Sequence, residues 1–327
     1  MIIGNTNIKE QIHVALESAR KRNMAPPHML MSGHPGCGKT STAKEVAKQF
    51  GTDFISLIPE ALKDQRSILD LLDSLNFTGY DELGNRVAPI QPTVVFIDEC
   101  HRIPMYGQEK LGMIMENFTM DTGKVGKVYW VPYFTVIGAT TLAGNMSKPF
   151  LDRFKLNFFF ETYNIEDSID IVSYHAKRLK VPMTKKAMVD VASRGRGVPR
   201  IMVKYLERCR DMMLSIGSAM VTSNLSNATF ESLEIDKRGF NKIELKVLRA
   251  LYDYDKPLSL ENLVMMTGES KQTIQSDIES HLIKNGLLVR SGKGRTITPL
   301  GRMYLEEEGY AGSGMGRKTI PINYVRL

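Results

Sequence analysis

The sequence predicts an α/β fold in which a parallel sheet is followed by smaller helical domains. Three observations carry this prediction. Apolar, strand-like runs alternate with segments of helical periodicity over the first half of the chain. A glycine-rich loop joins the first of these runs to the helix after it. A later run, Thr93–Ile97, is fully apolar and ends in two carboxylates, as expected for a central parallel strand.

Composition limits the kind of protein this can be. The chain has 327 residues, too many for one ordinary core, so two or three domains are expected. Its net charge of +7 is compatible with an anionic partner such as nucleic acid. The 3 cysteines are far apart, which suits a reducing compartment and excludes a disulfide framework or a cysteine zinc site. With neither a signal-like start nor a membrane-length apolar segment, a cytoplasmic location without membrane contact is expected.

The first motif lies between an apolar run, Met29–Met31, and a helical pattern, Ser41–Phe50. Gly33 to Thr40 reads G-H-P-G-C-G-K-T and matches every fixed position of G-x-x-x-x-G-K-[ST]. Backbone N–H groups and a helix N-terminus surround a phosphate chain in such a loop. Lys39 is expected to reach the β- and γ-phosphates, and the Thr40 hydroxyl to hold Mg²⁺. The alternative, a chance glycine-rich turn, is disfavoured by the strand–loop–helix context.

The second motif follows the apolar run that ends at Ile97. Asp98 is expected to orient Mg²⁺, and Glu99 to polarise the attacking water as a general base. An Asp-Glu pair after a strand is otherwise an ordinary helix start. A further buried strand, Phe134–Thr141, ends in two hydroxyls that suit contact with a γ-phosphate and its lytic water, or are simple strand-end threonines.

The remaining segments of the first half continue the alternation. Helices are predicted over Asn5–Asn23, Ser67–Leu75 and Gln108–Asn117, a strand over Asp53–Leu57, a loop over Phe77–Gln91 and a hairpin over Asp121–Val131.

These motifs, together with P-F-L-D-R-F at Pro149–Phe154, resemble those of AAA+ ATPases, and most of all the bacterial RuvB family of Holliday-junction branch-migration motors. The likeness extends from Ile3 to about Leu305. F-I-D-E-C-H-R-I and G-A-T-T-L-A-G are much more specific than the phosphate loop alone. The resemblance implies a DNA helicase that acts in recombination and repair, assembles as a hexameric ring, and uses ATP and Mg²⁺.

The resemblance also implies roles for individual residues. Lys39 and Thr40 belong to the phosphate loop, Asp98 and Glu99 are the paired acids, Thr140 or Thr141 is the first sensor, Arg153 is an arginine finger, and Arg200 is the second sensor. The nucleotide site further includes Gly33, Pro35, Gly36, Cys37, Gly38, Ser41, Tyr163 and Pro199, of which the last two line the adenine pocket. A finger enters the neighbouring subunit's site, so Arg153 implies an oligomer; the alternative is a surface arginine.

A small helical lid is predicted over residues 163–232, after an ATPase domain over residues 1–162. Asn164 starts one helix with an acid at its third position, a second fits Thr184–Ser193, and a third follows the basic loop that ends at Arg200. Val221–Phe230 is expected to close the lid and lead into a linker.

A winged helix is predicted over residues 233–305, ahead of a flexible tail over residues 306–327. Its three helices are expected at Asn241–Tyr252, from Ser259 and at Lys271–Asn285. The wing that follows carries Arg290, Lys293 and Arg295, which suit contact with a DNA backbone. A solvated hairpin tip or a protein-binding module is the alternative.

Some features depart from the family pattern. The chain begins close to Ile3, so the family's N-terminal adenine contact is expected to be missing or replaced. The Asp121–Val131 hairpin is shorter than the one that grips RuvA, which weakens the case for a RuvA-like partner. We therefore interpret the chain as a divergent relative, such as a phage could encode. The hypotheses are a translocating motor on double-stranded or branched DNA, an AAA+ loader, and a nucleotide-switched DNA-binding regulator.

Overall fold

The computed structural model describes residues 3–75, 92–121, 128–131, 133–254 and 256–310. The chain divides after Leu225 into two compact units. Within the described residues, none of the helices combines the length and the apolar character needed to cross a bilayer.

The first unit is built on a five-stranded sheet of strand order β2-β3-β6-β1-β7, in which all neighbours run parallel. The central strands β3 and β6 are buried along their whole length, as the apolar runs predicted. The strands of the unit are β1 (Met29–Gly33), β2 (Phe54–Leu57), β3 (Thr93–Ile97), β4 (Thr119–Asp121), β5 (Val128–Trp130), β6 (Phe134–Thr140) and β7 (Leu156–Phe160). Its helices before the lid are α1 (Thr6–Lys21), α2 (Lys39–Phe50), α3 (Gln65–Ser74), α4 (Met105–Asn117) and α5 (Lys148–Leu151).

Helices cover both faces of the sheet, so two apolar clusters form its core. One cluster packs side chains of α1 and α2 against β1, and it includes Leu16, Val46 and Met29. The other packs α3 and α4 against β3 and β6, and it includes Leu111 and Phe134. The predicted parallel α/β sheet is therefore confirmed, and it brings the carboxyl ends of β1, β3 and β6 to one edge.

The hairpin predicted over Asp121–Val131 is present with shifted bounds, whereas the loop predicted over Phe77–Gln91 is not described by the structure. β4 and β5 pair antiparallel with Thr119 opposite Trp130, so the arms of the hairpin begin two residues earlier than predicted. Residues 122–127 at its tip lie outside the described residues, and so does the whole of the Phe77–Gln91 loop. β7, at the edge of the sheet, was missed by the sequence analysis.

The lid follows β7 in the same unit. Its helices are α6 (Ile165–Arg178), α7 (Lys185–Arg194) and α8 (Pro199–Ser215), followed by α9 (Ser223–Ser232) across the division between the units. The Asn164 side chain accepts a hydrogen bond from the backbone N–H of Asp167 at 2.7 Å, which confirms the predicted cap. Most of Val221–Phe230, which was expected to close the lid and lead into a linker, is the helix α9, and residues 233–241 after it contain no helix or strand.

The second unit has the helices and the two-stranded wing that the sequence predicted. Its elements are α10 (Lys242–Asp253), α11 (Leu260–Thr267), α12 (Lys271–Thr273), α13 (Ser280–Lys284), β8 (Leu288–Ser291), β9 (Gly294–Ile297) and α14 (Pro299–Glu307). Ile274–Glu279 joins α12 to α13 as a π-helical segment, so the third predicted helix is continuous but widened at its centre. Helix α14, which the sequence analysis missed, begins at a Thr298 cap with proline at its first position.

Candidate nucleotide site

The glycine-rich loop runs between β1 and α2 and turns sharply twice. Gly36 and Gly38 have φ values of 78° and 94°, in the left-handed region that favours glycine. Space gives a second reason for glycine, because a Cβ at Gly36 would lie 2.8 Å from the Cβ of Arg200. The loop therefore meets the first turn of lid helix α8, where the Arg200 backbone N–H donates to the Gly36 carbonyl at 3.3 Å.

Lys39 is the first residue of α2, and its side chain folds back into the loop. It is 7% exposed, and its Nζ donates to the carbonyl oxygens of Gly33 at 2.8 Å and His34 at 2.9 Å. Burial lowers the pKa of Lys39, while the nearby carboxylates of Asp98 and Glu99 act in the opposite direction. The loop thus holds a buried ammonium group whose hydrogen bonds go to neutral carbonyls, which is the chemistry required to receive an anion.

The paired acids stand directly after β3, as predicted. Asp98 Oδ1 accepts a hydrogen bond from the backbone N–H of Glu99 at 3.0 Å. Glu99 has a φ of 48°, an uncommon conformation for a residue with a side chain and one that recurs at functional sites. Oε2 of Glu99 accepts from the Thr141 hydroxyl at 3.2 Å. The sharp turn at Glu99 therefore directs its carboxylate toward the end of β6.

The two threonines that the sequence left as alternatives occupy different environments. Thr140 is fully buried, and its Oγ1 accepts from the backbone N–H of Leu142 at 3.0 Å. The same oxygen lies 2.9 Å from Nδ1 of His101. Thr141 is exposed and reaches Glu99 directly. Of the pair, Thr141 is accordingly the one that contacts the carboxylate of Glu99.

A cleft of about 500 Å³ between the loop and the lid brings together the loop, the paired acids and Arg200, while Thr140 and Thr141 are not among its lining residues. Its lining includes the sequence-predicted residues Pro35, Gly36, Gly38, Lys39, Thr40, Ser41, Asp98, Glu99, Pro199 and Arg200. It also includes Val203, Lys204 and Glu207, which sequence reasoning missed as site residues, and His175. The first three of these follow Arg200 at helical spacing on one face of α8, so their position carried a usable signal. His175, on a different helix, carried no such signal.

Tyr163 lies behind the loop, at the junction with the lid. Its hydroxyl donates to the Cys37 carbonyl at 3.2 Å and accepts from Nδ2 of Asn5 at 2.7 Å. Its backbone N–H donates to the Gly197 carbonyl at 2.8 Å. Burial raises the pKa of Tyr163 to about 12, so the ring is neutral at physiological pH. The phosphate loop, the lid and the N-terminal segment are thus joined at one residue, through its hydroxyl and its backbone N–H.

Arg153 lies apart from the cleft of its own chain. Its guanidinium makes an ion pair with Glu116 at 2.7 Å, and its side chain is 33% exposed. It lines a separate groove of about 620 Å³ together with Asp152 and Lys155. Within a single chain, the structure therefore does not bring Arg153 to the loop, which is the arrangement expected of a residue that acts on a neighbour.

The wing residues are also divided. Arg290 and Lys293 are exposed at the wing. Arg295, which was expected on the same surface, is only 8% exposed and donates from Nε to Oε1 of Glu279 at 2.6 Å. A second contact, from its Nη2 to Oε2, measures 3.3 Å. The prediction of a surface position for Arg295 was wrong, because a buried carboxylate binds its guanidinium through two hydrogen bonds.

The donor chemistry of the cleft suits a nucleoside triphosphate with Mg²⁺. Thr40 and Asp98, both in its lining, offer the oxygen ligands that Mg²⁺ prefers. Among the described residues there is no cluster of three or more His, Cys, Asp or Glu side chains that could hold a metal. Mg²⁺ is typically bound through one or two protein groups plus substrate phosphates, so this sparse set is sufficient.

A glycine-rich phosphate loop, paired acids after a strand of the same sheet and a lid arginine define the AAA+ class of P-loop ATPases. Three family models divide the chain between them: the Holliday junction DNA helicase RuvB P-loop domain over residues 1–159, the RuvB AAA lid domain over residues 163–236, and the RuvB C-terminal winged helix domain over residues 237–306. The chain belongs to the RuvB family.

Individual relatives agree with this assignment. The Holliday junction branch migration complex subunit RuvB of Corynebacterium aurimucosum is 31% identical over 319 residues, covering 95% of this chain and 84% of the relative. The subunit of the same name from Lactococcus lactis is 31% identical, covering 94% and 92%. The solved structure of the Thermotoga maritima RuvB Holliday junction branch migration motor matches with a TM-score of 0.75 at 28% identity, covering 93% of this chain and 95% of that chain.

Proposed function

We propose that this protein is an ATP-driven DNA motor that hydrolyses ATP and moves duplex DNA, as in branch migration of Holliday junctions. The observation that carries the proposal is the cleft in which a buried lysine, two acids and a lid arginine surround the glycine-rich loop. The relatives are named for Holliday junctions, which is the basis for proposing DNA as the substrate. The winged helix would provide a surface to bind it. The protein would act where DNA is found, in the cytoplasm.

Binding would begin with an exchange of partners at Lys39. Its Nζ would leave the Gly33 and His34 carbonyls for the β- and γ-phosphate oxygens of ATP, a charge-assisted contact that is stronger than the neutral one. Backbone N–H groups of the loop and the N-terminus of α2 would bind the remaining phosphate oxygens. Thr40 and Asp98 would hold Mg²⁺, which neutralises phosphate charge when bound. Tyr163 and Pro199 would contact the adenine.

Hydrolysis would then depend on Glu99. As general base, its carboxylate takes a proton from water while the water oxygen forms a bond to the γ-phosphorus. The bond from that phosphorus to the β–γ bridging oxygen breaks, and ADP leaves with the electron pair. Thr141 would orient the water, and Arg200 would stabilise charge on the γ-phosphoryl oxygens from the lid. Loss of this contact with the phosphate would let the lid move.

Arg153 would complete the site of the next subunit, so the active form would be an oligomer, proposed as a hexameric ring. A guanidinium that supplies charge in trans is worth roughly 10³–10⁵ in rate in other NTPases. On assembly it would exchange Glu116 for the neighbour's γ-phosphate. Arg290 and Lys293 would follow the DNA backbone without reading bases.

The test is ATP hydrolysis and movement of a synthetic four-way junction by the purified protein. We expect DNA to stimulate ATPase activity. In the presence of ATP and Mg²⁺, we expect branch migration to dissociate the junction into its duplex products. Absence of both at high protein concentration would contradict the proposal. Hydrolysis without junction movement would favour a loader.

Glu99→Gln separates the motor from a nucleotide-switched regulator. The amide keeps the shape of the side chain but cannot accept the proton, so we expect ATP to bind and hydrolysis to fall by roughly 10²–10⁴. Junction movement should fall equally. If Glu99→Gln retained the full biological effect, binding alone would be sufficient, and the regulator hypothesis would replace the motor.

A further inference from the structure

His101 follows the paired acids by two residues and lies between them and the end of β6. Its ring is largely buried, with its side chain 11% exposed. Nδ1 faces two oxygens at once, Oε2 of Glu99 at 3.2 Å and Oγ1 of Thr140 at 2.9 Å. These contacts join the turn that carries the general base to the strand that carries the sensor threonines.

The chemistry of the partners decides which tautomer of His101 can act on Glu99. A carboxylate oxygen accepts hydrogen bonds, so Nδ1 attracts Oε2 of Glu99 only in the tautomer that carries the proton on Nδ1. Thr140 already accepts from the Leu142 backbone N–H, and this bond ties its hydroxyl oxygen to the chain immediately beyond β6. In that tautomer Nδ1 donates to the buried hydroxyl oxygen of Thr140 and lies 3.2 Å from the carboxylate oxygen of Glu99.

Thr141 donates to the same oxygen of Glu99 that His101 approaches, Oε2. The end of β6 therefore holds this carboxylate twice, directly through Thr141 and indirectly from Thr140 through His101. With Oε2 engaged by these contacts, rotation of the carboxylate is restricted, and Oε1 is the oxygen that would accept a proton from water. A general base works only when its acceptor oxygen is within hydrogen-bond reach of the proton it removes.

We propose that His101 is a positioning residue for ATP hydrolysis: hydrogen-bonded to Thr140, it holds a protonated Nδ1 beside Oε2 of Glu99 and so orients that carboxylate. The inference rests on the proposed function, since it assumes that Glu99 activates water. His101 does not touch the nucleotide in this scheme. It determines whether the proton acceptor points at the water and couples that orientation to the end of β6.

Two substitutions of similar polarity give the sharpest test. In His101→Asn, the amide nitrogen Nδ2 is bonded to Cγ, as Nδ1 is in histidine, so the donor to Oε2 is retained. In His101→Gln, the amide nitrogen lies one bond farther out, at the place of the histidine Nε2. His101→Ala removes the donor entirely.

The measurements are steady-state kcat and KM for ATP, and the Kd of a fluorescent ATP analogue, for the full-length protein in the presence of DNA. We expect His101→Ala and His101→Gln to lower kcat roughly 10- to 100-fold, the scale on which displacement of a catalytic group acts. KM and Kd should stay within about twofold, and His101→Asn should recover most of the lost kcat. Equal kcat values for the Asn and Gln variants would overturn the proposal, whatever happens to the Ala variant.

A second measurement separates this proposal from its premise. Single-turnover hydrolysis is compared for wild type, Glu99→Gln, and Glu99→Gln combined with His101→Ala. If His101 acts through Glu99, its loss should add no further decrease once Glu99 is replaced. A further decrease of about tenfold would show an independent role and overturn the proposal. If wild type hydrolyses ATP and Glu99→Gln does so equally well, the assignment of the general base fails first, and that result is distinct.

Discussion

At the scale of single residues, burial decides which ionisable groups serve structure and which serve the site. His28 is 7% exposed, and both ring nitrogens are bonded: Nε2 contacts the Met115 carbonyl at 3.0 Å, and Nδ1 accepts from the Val136 N–H at 2.9 Å. This pairing requires the neutral ring with its proton on Nε2. Lys39 is equally buried but bonded to carbonyls that a phosphate can replace. His28 therefore holds α4 to the sheet, whereas Lys39 can exchange its carbonyl partners for an anion.

His28 makes stability depend on pH. Burial lowers its pKa from 6.5 to about 4, so between these values the unfolded chain binds more protons than the folded one. The free energy of unfolding is not reduced by His28 above pH 6.5. As the pH drops toward 4, protonation of this residue in the unfolded chain lowers that free energy by at most about 3 kcal/mol. We expect the urea midpoint, followed by the fluorescence of the chain's 1 tryptophan, to fall over this range.

The control for this prediction is His28→Gln, which keeps a donor toward Met115 but does not titrate. It should be less stable than wild type at pH 7, and the difference should shrink as the pH approaches 4. Parallel curves for the two proteins over that range would show that His28 is not the group responsible.

At the scale of elements, the sequence predicted best where one local signal acts alone. The loop between β1 and α2 and the cap at Asn164 are local, and both were predicted. Strand β7 was missed because the sequence L-N-F-F-F does not itself alternate between apolar and polar residues. Its side chains alternate between buried and exposed in the sheet, where β7 pairs with β1. α14 was missed although Thr298 and Pro299 signal a helix start. Arg295 could not be predicted, because its partner Glu279 is 16 residues distant and buried only by the fold.

The Arg295–Glu279 pair predicts a specific pattern of stability in the winged helix. Arg295→Met leaves the Glu279 carboxylate, which is 2% exposed, without its partner, and a broken buried pair typically costs about 3–5 kcal/mol. Combining it with Glu279→Leu removes both charges and should recover much of that loss. Thermal unfolding of the three proteins, followed by calorimetry, measures both effects. No recovery in the double variant would contradict the prediction.

The wing itself can be tested with a matched pair of substitutions. Arg290→Ala and Lys293→Ala remove exposed charges, so we expect weaker binding to duplex DNA and a reduced salt dependence, with little change in thermal stability. Fluorescence anisotropy with a labelled duplex at two or more salt concentrations measures this. Unchanged affinity and salt slope would remove these residues from the DNA-binding surface.

At the scale of the whole molecule, Arg153 lies outside the cleft of its own chain. Arg153 is bonded to Glu116, and Lys39 stands in the cleft with the acids. If Arg153 acts across a subunit boundary, each chain supplies the phosphate loop and the acids of its own site and the arginine of its neighbour's site. This arrangement predicts the behaviour of mixed assemblies, which a self-sufficient monomer would not show.

Mixing two inactive variants tests that arrangement. Arg153→Ala keeps an intact loop, and Lys39→Ala keeps an intact finger, so each alone should show little DNA-stimulated ATPase activity. An equimolar mixture should recover part of it, because some interfaces then join a good loop to a good finger. Arg153→Ala alone at the same total concentration is the control. No recovery in mixed rings of confirmed composition would mean that Arg153 does not act in trans.

The close approach of Gly36 to Arg200 has a mechanical consequence. Because Gly36 carries no side chain, its backbone packs directly against the Cβ of Arg200, and the lid has no slack there to slide past the loop. In the proposed motor, this contact would be the point about which the lid turns, and the displacement would be largest at the far end of the 17-residue helix α8.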